Sequence, residues 1–503
     1  MKPSSVPFLI LVISVLVSCG GELGPSAEGL ADATSAASEG AVEPVSSVAP
    51  TTIAASESAV EPVNSVAPPT TADSSEGKPS SEVVASVNLA LPIESDEEAC
   101  QIPDPHEKDL DWEIRNVGFP VLFNNLEPAG VVRMVVAPID WASFPGDPEV
   151  LDEELLQVEL FIDLYESASN GALEFDVTVI DGWRTVTGSP SDYPQVSPSG
   201  NNVRLAQAAV DAVDDEIDFT DTDIFLFIIP TYSPLPVNGL PMSLENGVPQ
   251  HGTIEGFAYS SNGQIVSEEG RIPNWMAAGS HMDDEEGRRE PWGFYAHEAG
   301  HMFSLPDYYT YGEENWYYSP WESVEPVKVA NGAWGYWSLM GGQDGPSRTF
   351  SSWSRWLLNW LSNDQVFCVD LRTTEFEPFE ISLLPLDVYS DGIKTMIART
   401  GEYTGLVIES RRADGPDYGL EVMSDDPNGI VVYRIDTRKG NAAGTLQIIP
   451  PDGRFTNDRY WSNRNPGPHL EALYREGDRT FADGLGIEVL GAGGTHDTVR
   501  ISF

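Results

Sequence analysis

Between residues 131 and 229 the apolar and polar positions change period several times, and the changes outline a layered α/β unit. Val131-Val132-Arg133-Met134-Val135-Val136-Ala137 is an almost unbroken apolar run of strand length, the pattern of a buried strand. Within residues 152–167, Leu155, Leu156, Val158, Leu160, Leu164 and Tyr165 return at a mostly helical spacing, and Asn170-Gly171 stops that helix. Residues 173–180 alternate as a strand, 203–217 read as an amphipathic helix, and 223–229 form a second buried strand. Strands alternating with helices in this order imply a layered α/β sheet.

A second helix-period stretch covers residues 350–361. Trp353, Trp356, Leu357 and Trp360 share one face there, which suits a core better than a ligand box. From residue 366 onward, short β-type runs alternate with Gly, Asp and Pro turns, at 366–371, 380–384, 394–399, 405–409, 430–435, 445–449, 487–490 and 498–503. That spacing implies a β-sandwich-like C-terminal domain.

The first hundred residues have a different character. Met1-Lys2 and the apolar run Phe8-Leu9-Ile10-Leu11-Val12-Ile13 form a signal peptide, too short for a mature membrane span. Its end, Leu16-Val17-Ser18-Cys19, resembles a bacterial lipobox, which implies lipid attachment at Cys19 and an outward-facing anchor in the cell envelope. Gly20 after the cysteine resembles an outer-membrane sorting signal. From residue 20 to about 98 there is no aromatic residue, and the decapeptide starting at Ala41 recurs at Ala59 with one change. Such a segment reads as a disordered tether, with a propeptide role for part of it as an alternative. The expected organisation is therefore a signal peptide at 1–19, a tether at 20–105, a catalytic unit at 106–365, its core starting near Asp109-Leu110-Asp111-Trp112, and a β-rich domain at 366–503.

The chemistry concentrates in Pro291-Trp292-Gly293-Phe294-Tyr295-Ala296-His297-Glu298-Ala299-Gly300-His301-Met302-Phe303-Ser304-Leu305-Pro306-Asp307. Pro291 suits a first helical position, and the helix is expected to run to about Ser304. His297 and His301, four residues apart, leave one helix face one turn apart and can reach a single metal ion. After the helix, Leu305-Pro306 can turn Asp307 back as a third ligand, with Glu313, Glu314 and Glu322 as alternative carboxylates. Zinc held by three protein ligands keeps a position for water and lowers that water's pKa toward ~7, and Glu298 would then act as general base and acid. Further on, Trp337-Ser338-Leu339-Met340-Gly341-Gly342 resembles a metzincin Met-turn, with Met340 structural rather than ligating.

This stretch resembles the His-Glu-x-x-His-x-x-Gly-x-x-Asp signature of the immune inhibitor A group of secreted zinc metallopeptidases, the M6-like family. Leu305-Pro306-Asp307-Tyr308-Tyr309, Phe350-Ser351-Ser352-Trp353-Ser354-Arg355-Trp356, Ile408-Glu409-Ser410-Arg411-Arg412 and Gly429-Ile430-Val431-Val432-Tyr433-Arg434-Ile435-Asp436 follow in the order such peptidases show. The resemblance implies His297, His301 and Asp307 as zinc ligands, Glu298 as catalytic base, and a metzincin-like α/β (α+β) fold. The chain departs from the signature at Ser304, where the family has Gly. Serine costs roughly 1 kcal/mol or more in a left-handed helix end, so a slightly different turn is expected.

Charge narrows the partners. The formal net charge is −52; the first hundred residues hold 14 of the 79 acids and two of the 27 bases, so the remainder still carries −40. Phosphate backbones need a basic surface, so nucleic acid is excluded as a partner. Protein or peptide substrates are expected, with membrane contact through the lipid alone and a monomeric chain. The acidic run Asp218-Phe219-Thr220-Asp221-Thr222-Asp223 offers a second candidate site, for Ca²⁺, against the plainer reading of a solvated turn before a strand. His281 is a candidate substrate contact, and Tyr308, Tyr309, Tyr311 and Tyr336 are candidates to stabilise an oxyanion, each set against simple packing or exposure.

With Cys19 lipidated, Cys100 and Cys368 remain, in an oxidising compartment. A disulfide between them would pin the start of the folded region to the first C-terminal strand. The alternatives are a Cys100 thiolate capping zinc in a latent form, or two free thiols. Two other functions stay open beside a surface-anchored endopeptidase: a catalytically silent binding or adhesin lipoprotein, and a zinc hydrolase of peptidoglycan cross-bridges.

Overall fold

The computed structural model describes residues 95–108, 114–193, 203–230, 243–245, 248–250, 258–278, 292–308, 316–318, 326–328, 337–341, 347–373, 375–413, 415–417, 426–452 and 472–502. The expected signal peptide, Cys19, most of the tether and Asp109-Leu110-Asp111-Trp112 lie outside these residues.

Glu97–Cys100 forms a single helical turn, α1. Cys100 is disulfide-bonded to Cys368, so it supplies no thiolate to a metal. Cys100 and Ile102 are fully buried, so residues assigned to the tether belong to the packed fold. Arg399 Nη1 donates to the Ala99 carbonyl at 2.7 Å, tying the same turn to the C-terminal half.

The first sheet is mixed, ordered β2-β1-β4-β8-β7. Gly130–Trp141 is β1; Leu173–Val179 is β2; Arg184–Val186 is β3, which extends the far end of β1; Ile224–Ile228 is β4. Ser243–Glu245 (β5) and Val248–Gln250 (β6) pair separately. Ala258–Val266 is β7 and Arg271–Ala278 is β8. All pairs in the main sheet are parallel except β7 with β8. The apolar run of β1 is continuous because both faces are covered. Val132, Met134 and Val136 enter one core, and Val135, Ala137 and Ile139 enter another.

Pro148–Ala168 is α2, longer at its start than its apolar spacing indicates, because Asp147 caps the Glu149 N–H and Pro148 stands at the first position. Val203–Asp211 is α3, covering the opposite face of the sheet through Leu205, Ala206, Ala209 and Val210. It stops short of the expected residue 217. Asp211, Asp214, Asp215 and Glu216 crowd the end where the helix dipole disfavours negative charge, and the chain continues in tight turns. The β7–β8 hairpin was not legible in the sequence, since Ser, Asn, Gln and Pro273 interrupt any strand pattern there.

Trp292–Met302 is α4, buried on every side. Trp316–Tyr318 (β9) and Pro326–Lys328 (β10) form a small hairpin pair. Ser352–Leu357 is α5, half the length its tryptophan spacing indicates, because Asn359 turns into a left-handed conformation at φ 58° and the Trp360 N–H closes on the Arg355 carbonyl.

The remaining strands are Val366–Asp370 (β11), Phe379–Leu383 (β12), Thr395–Arg399 (β13), Thr404–Arg411 (β14), Gly429–Asp436 (β15), Leu446–Ile448 (β16), Arg479–Ala482 (β17), Leu485–Gly491 (β18) and Asp497–Ser502 (β19). They make two sheets, β11-β13-β14-β15-β16 and β12-β19-β18-β17. Only β17 had no counterpart among the expected runs. The five-stranded sheet alternates cleanly. Phe367, Met396, Leu406, Ile408 and Val432 face the four-stranded sheet. Cys368, Ile397, Val407, Val431 and Tyr433 face the other way, into the core shared with the first sheet, where Cys368 bonds α1 and the Tyr433 hydroxyl meets the Trp353 N–H of α5. The chain is thus mixed α/β with several sheets and few helices, and one core runs from β1 to β15.

A buried ion cluster welds these halves. Arg411 on β14 is fully buried, bonds Glu409 and Asp417, and donates to the Trp337 carbonyl at 2.9 Å. Burial alone would lower the Arg411 pKa, but the Glu409 and Asp417 carboxylates hold it above its ordinary value. Glu409 in turn accepts from the Ser352 N–H at the start of α5 and from the Tyr433 hydroxyl. Removing one partner of such a cluster strands the others in an apolar interior. Arg411→Met is expected to cost about 3–5 kcal/mol in equilibrium denaturant unfolding; an unchanged midpoint would contradict this account of the core.

Candidate metal centre

Helix α4 is held at its flank by α2 and at its end by residues 114–126. Tyr165 of α2 donates its hydroxyl to the Ala296 carbonyl at 2.6 Å, and the Tyr295 hydroxyl donates to Glu154, also of α2, at 2.9 Å. Burial, with the nearby Glu298 charge, holds the Tyr165 phenol well above its ordinary pKa, so it stays a donor. At the far end of the helix, residues 114–126 satisfy carbonyls that a helix terminus leaves without internal partners. Arg115 donates to His301 O at 3.1 Å, the Leu126 N–H to Met302 O at 3.2 Å, and the Asn116 N–H to Ser304 O at 2.8 Å.

The helix ends in a Schellman turn. The Leu305 N–H reaches Gly300 O at 3.0 Å and the Ser304 N–H reaches His301 O at 2.9 Å. Ser304 sits at φ 63°, the left-handed conformation that glycine would adopt, so the expected deviation of the turn does not occur. The serine bears the cost instead. Its side chain is buried and its hydroxyl finds no hydrogen-bond partner among the described residues.

This turn returns Asp307 to the two histidines. Asp307 Oδ1 lies 3.2 Å from His297 Nε2 and 3.1 Å from His301 Nε2, and all three residues are at most 5% exposed. His297 Nδ1 is 2.8 Å from Leu339 O, and His301 Nδ1 is 2.9 Å from Leu305 O. A carbonyl only accepts, so each Nδ1 carries a proton, and in a neutral ring each Nε2 presents a lone pair. Two lone pairs and a carboxylate oxygen then converge in a buried space, an arrangement that calls for a cation between them. Donors at a tetrahedral zinc with bonds of ~2 Å lie about 3.3 Å apart, close to the separations here. The backbone bonds to Nδ1 are also the kind that orient metal-ligating imidazoles. The residues therefore fit a metal ion, and they are the one group of three or more metal-ligating side chains among the described residues. In the metal-free chain burial pushes the Asp307 carboxyl up, but once the imidazoles are protonated the His301 charge and the hydrogen bonds of both rings to Oδ1 more than offset this and keep it well below the usual carboxylate range.

Met340 lies beneath the helix in a turn at Leu339–Gly341. Its carbonyl accepts from the Tyr308 N–H at 2.8 Å, and a Cβ on Gly300 would come within 2.5 Å of its sulfur. Met340 thus explains why the helix carries Gly between its histidines. Glu298, 5% exposed, follows the first histidine on the same helix.

Tyr308 is buried in the core with its hydroxyl 2.9 Å from Ser354 Oγ, and burial raises its pKa, so it packs rather than facing a substrate. His281, Tyr309, Tyr311, Tyr336, Glu313, Glu314 and Glu322 lie outside the described residues. In the acidic run, Asp223 accepts from the Arg133 N–H at 2.8 Å and Asp218 from the Thr220 N–H at 2.9 Å; these carboxylates cap backbone and do not gather around one point.

Sequence reasoning missed Asn441. Its Oδ1 accepts from the Asp307 N–H at 2.7 Å, across 134 residues of chain. The one local signal was the turn-like run Lys439-Gly440-Asn441-Ala442-Ala443-Gly444 between two strands. Arg115 and Asn116 were also missed, since capping from a distant segment leaves no pattern near the helix.

Two substitutions test this geometry. Gly→Ala inside a helix ordinarily stabilises by about 1 kcal/mol, but Gly300→Ala is expected to cost about 1–3 kcal/mol by driving a methyl group into Met340. Ser304→Gly is expected to gain about 1 kcal/mol by relieving the left-handed serine. Chemical denaturation of both variants reads the signs, and either sign reversed would contradict the turn or the packing described.

In comparisons with known proteins, no family model matches the chain, and no curated protein matches it significantly.

Proposed function

We propose that this chain is a zinc-dependent endopeptidase resembling the immune inhibitor A group, with a metzincin-like catalytic unit, that hydrolyses extracellular proteins or peptides. The same reading keeps it anchored through Cys19 on the outside of a bacterial cell envelope. The observation that carries it is the convergence of His297 Nε2, His301 Nε2 and Asp307 Oδ1 in a buried space, with the buried Glu298 next in sequence to the first of them.

His297 and His301 would hold the metal through Nε2, and Asp307 through Oδ1. Zinc, when bound, supplies a Lewis acid and brings a water close to ionisation at neutral pH. Glu298, next to His297 on the same buried helix, is the carboxylate that would serve a water at the site. Glu298 would take a proton from the attacking water, whose hydroxide adds to the carbonyl carbon, and would deliver that proton to the leaving amine as the amide bond breaks. The backbone offers a place for substrate as well. Among the described residues β7 is the edge of its sheet, antiparallel to its neighbour, and packs against α4. An extended peptide adding along such an edge would place successive carbonyls past the site. Met340 beneath α4 and the disulfide that removes Cys100 as a zinc cap both favour a centre built for turnover.

The test is cleavage of casein by the full chain and by Glu298→Gln, with metal content measured in both. About one zinc per chain is expected in each, with the rate falling about 10²- to 10⁴-fold in the variant. Full activity in Glu298→Gln would sink the proposal. Metal retained without turnover in the parent chain would favour the silent binding lipoprotein instead.

A further inference from the structure

We propose that Asn441, on the loop between β15 and β16, is the positioning residue of the metal centre, holding Asp307 to ligation through a single oxygen. The inference rests on the metal-binding reading above.

Asn441 touches Asp307 at two points. Oδ1 accepts from the Asp307 backbone N–H at 2.7 Å, and Nδ2 faces Asp307 Oδ2 at 3.4 Å. The first contact fixes the orientation of the amide, since an N–H only donates. The carboxylate is therefore divided, with Oδ1 turned to the two imidazoles and Oδ2 to the asparagine. A carboxylate held this way cannot swing both oxygens onto one ion, which leaves a coordination position for water.

The loop is shaped for this contact. The next residue, Ala442, sits at φ 52°, a left-handed conformation that costs an alanine about 1–2 kcal/mol. In that conformation its N–H donates to the Asp307 carbonyl at 3.0 Å. Behind the loop, Thr437 Oγ1 donates to Pro103 O at 2.6 Å and the Thr437 carbonyl lies 3.0 Å from His106 Nε2. The C-terminal sheet, braced by residues 103–106, thus completes the outer shell of a site whose ligands all come from the helix-and-turn segment. Groups that orient metal ligands in this way typically affect affinity about 10- to 100-fold.

The test uses the purified full chain, stripped with a chelator and reloaded with Co²⁺ or Zn²⁺. Affinity is read by competition with a chromophoric chelator, and coordination by the visible bands of the cobalt form. Asn441→Ala is expected to weaken metal binding about 10- to 100-fold and to alter the cobalt bands. Asn441→Asp keeps the shape and the acceptor for the Asp307 N–H, loses the donor to Oδ2, and is expected to weaken binding while still folding. Thr437→Val removes the loop's bond to Pro103 without touching Asp307, and is expected to lower the melting temperature with parental affinity and bands.

The proposal is overturned if the folded Asn441 variants bind cobalt as tightly as the parent with its bands. It is also overturned if Thr437→Val weakens binding as much as Asn441→Ala, or if neither Asn441 variant folds, since each outcome assigns Asn441 a purely structural role. A parent chain that binds no metal overturns both this proposal and the function above. A parent that binds metal without cleaving peptides overturns the peptidase alone, and the affinities still decide Asn441.

Discussion

Two imidazole nitrogens aimed at the same buried space, each 3.1–3.2 Å from one carboxylate oxygen, form the constraint around which the rest of the molecule is organised. Acceptors in such an arrangement repel one another unless a cation lies between them, and the interior dielectric strengthens both the repulsion and its relief. Holding them there costs free energy in the metal-free chain. The fold supplies it through a helix packed on all sides, and it also meets the cost of a left-handed serine and a left-handed alanine.

The support comes from parts of the chain far apart in sequence. Residues 114–126 cap the end of α4, Tyr165 and Glu154 of α2 fix its flank, and Met340 fills the space left by Gly300. Arg411 reaches from β14 to the Trp337 carbonyl, two residues before the Leu339 carbonyl that orients His297. Asn441 reaches Asp307 from the same sheet. The C-terminal strands are therefore integral to the site, and their five-stranded sheet is covered on both faces because one side packs directly under the helices.

How legible this was in the sequence follows from how local each cause is. His297 and His301 stand one turn apart on one helix, so their shared face could be read directly, and the return of Asp307 to them followed from a turn signal six residues on. Strands with apolar alternation or continuous runs, such as 131–137 and 430–435, were equally plain. Features decided by distant partners were not. Asn441 and Arg115 are polar residues in loops, and nothing near them marks what they bond. The β7–β8 hairpin carries Ser, Asn and Pro273 where a strand pattern would need apolar residues, and α3 ends early because acidic residues oppose its dipole, an effect that apolar periodicity does not register. Ser304 is the instructive middle case. The local cost was visible in the sequence, but the surrounding packing outweighs it.

X-ray absorption at the metal edge of the zinc-loaded full chain tests the central claim most directly, because it reports the atoms around the ion without reference to any substrate. The account predicts a four-fold shell of nitrogen and oxygen donors at about 2.0–2.2 Å with outer scattering from two imidazole rings and no sulfur. A chain that takes up no zinc, or a shell containing sulfur or a single imidazole, would contradict it.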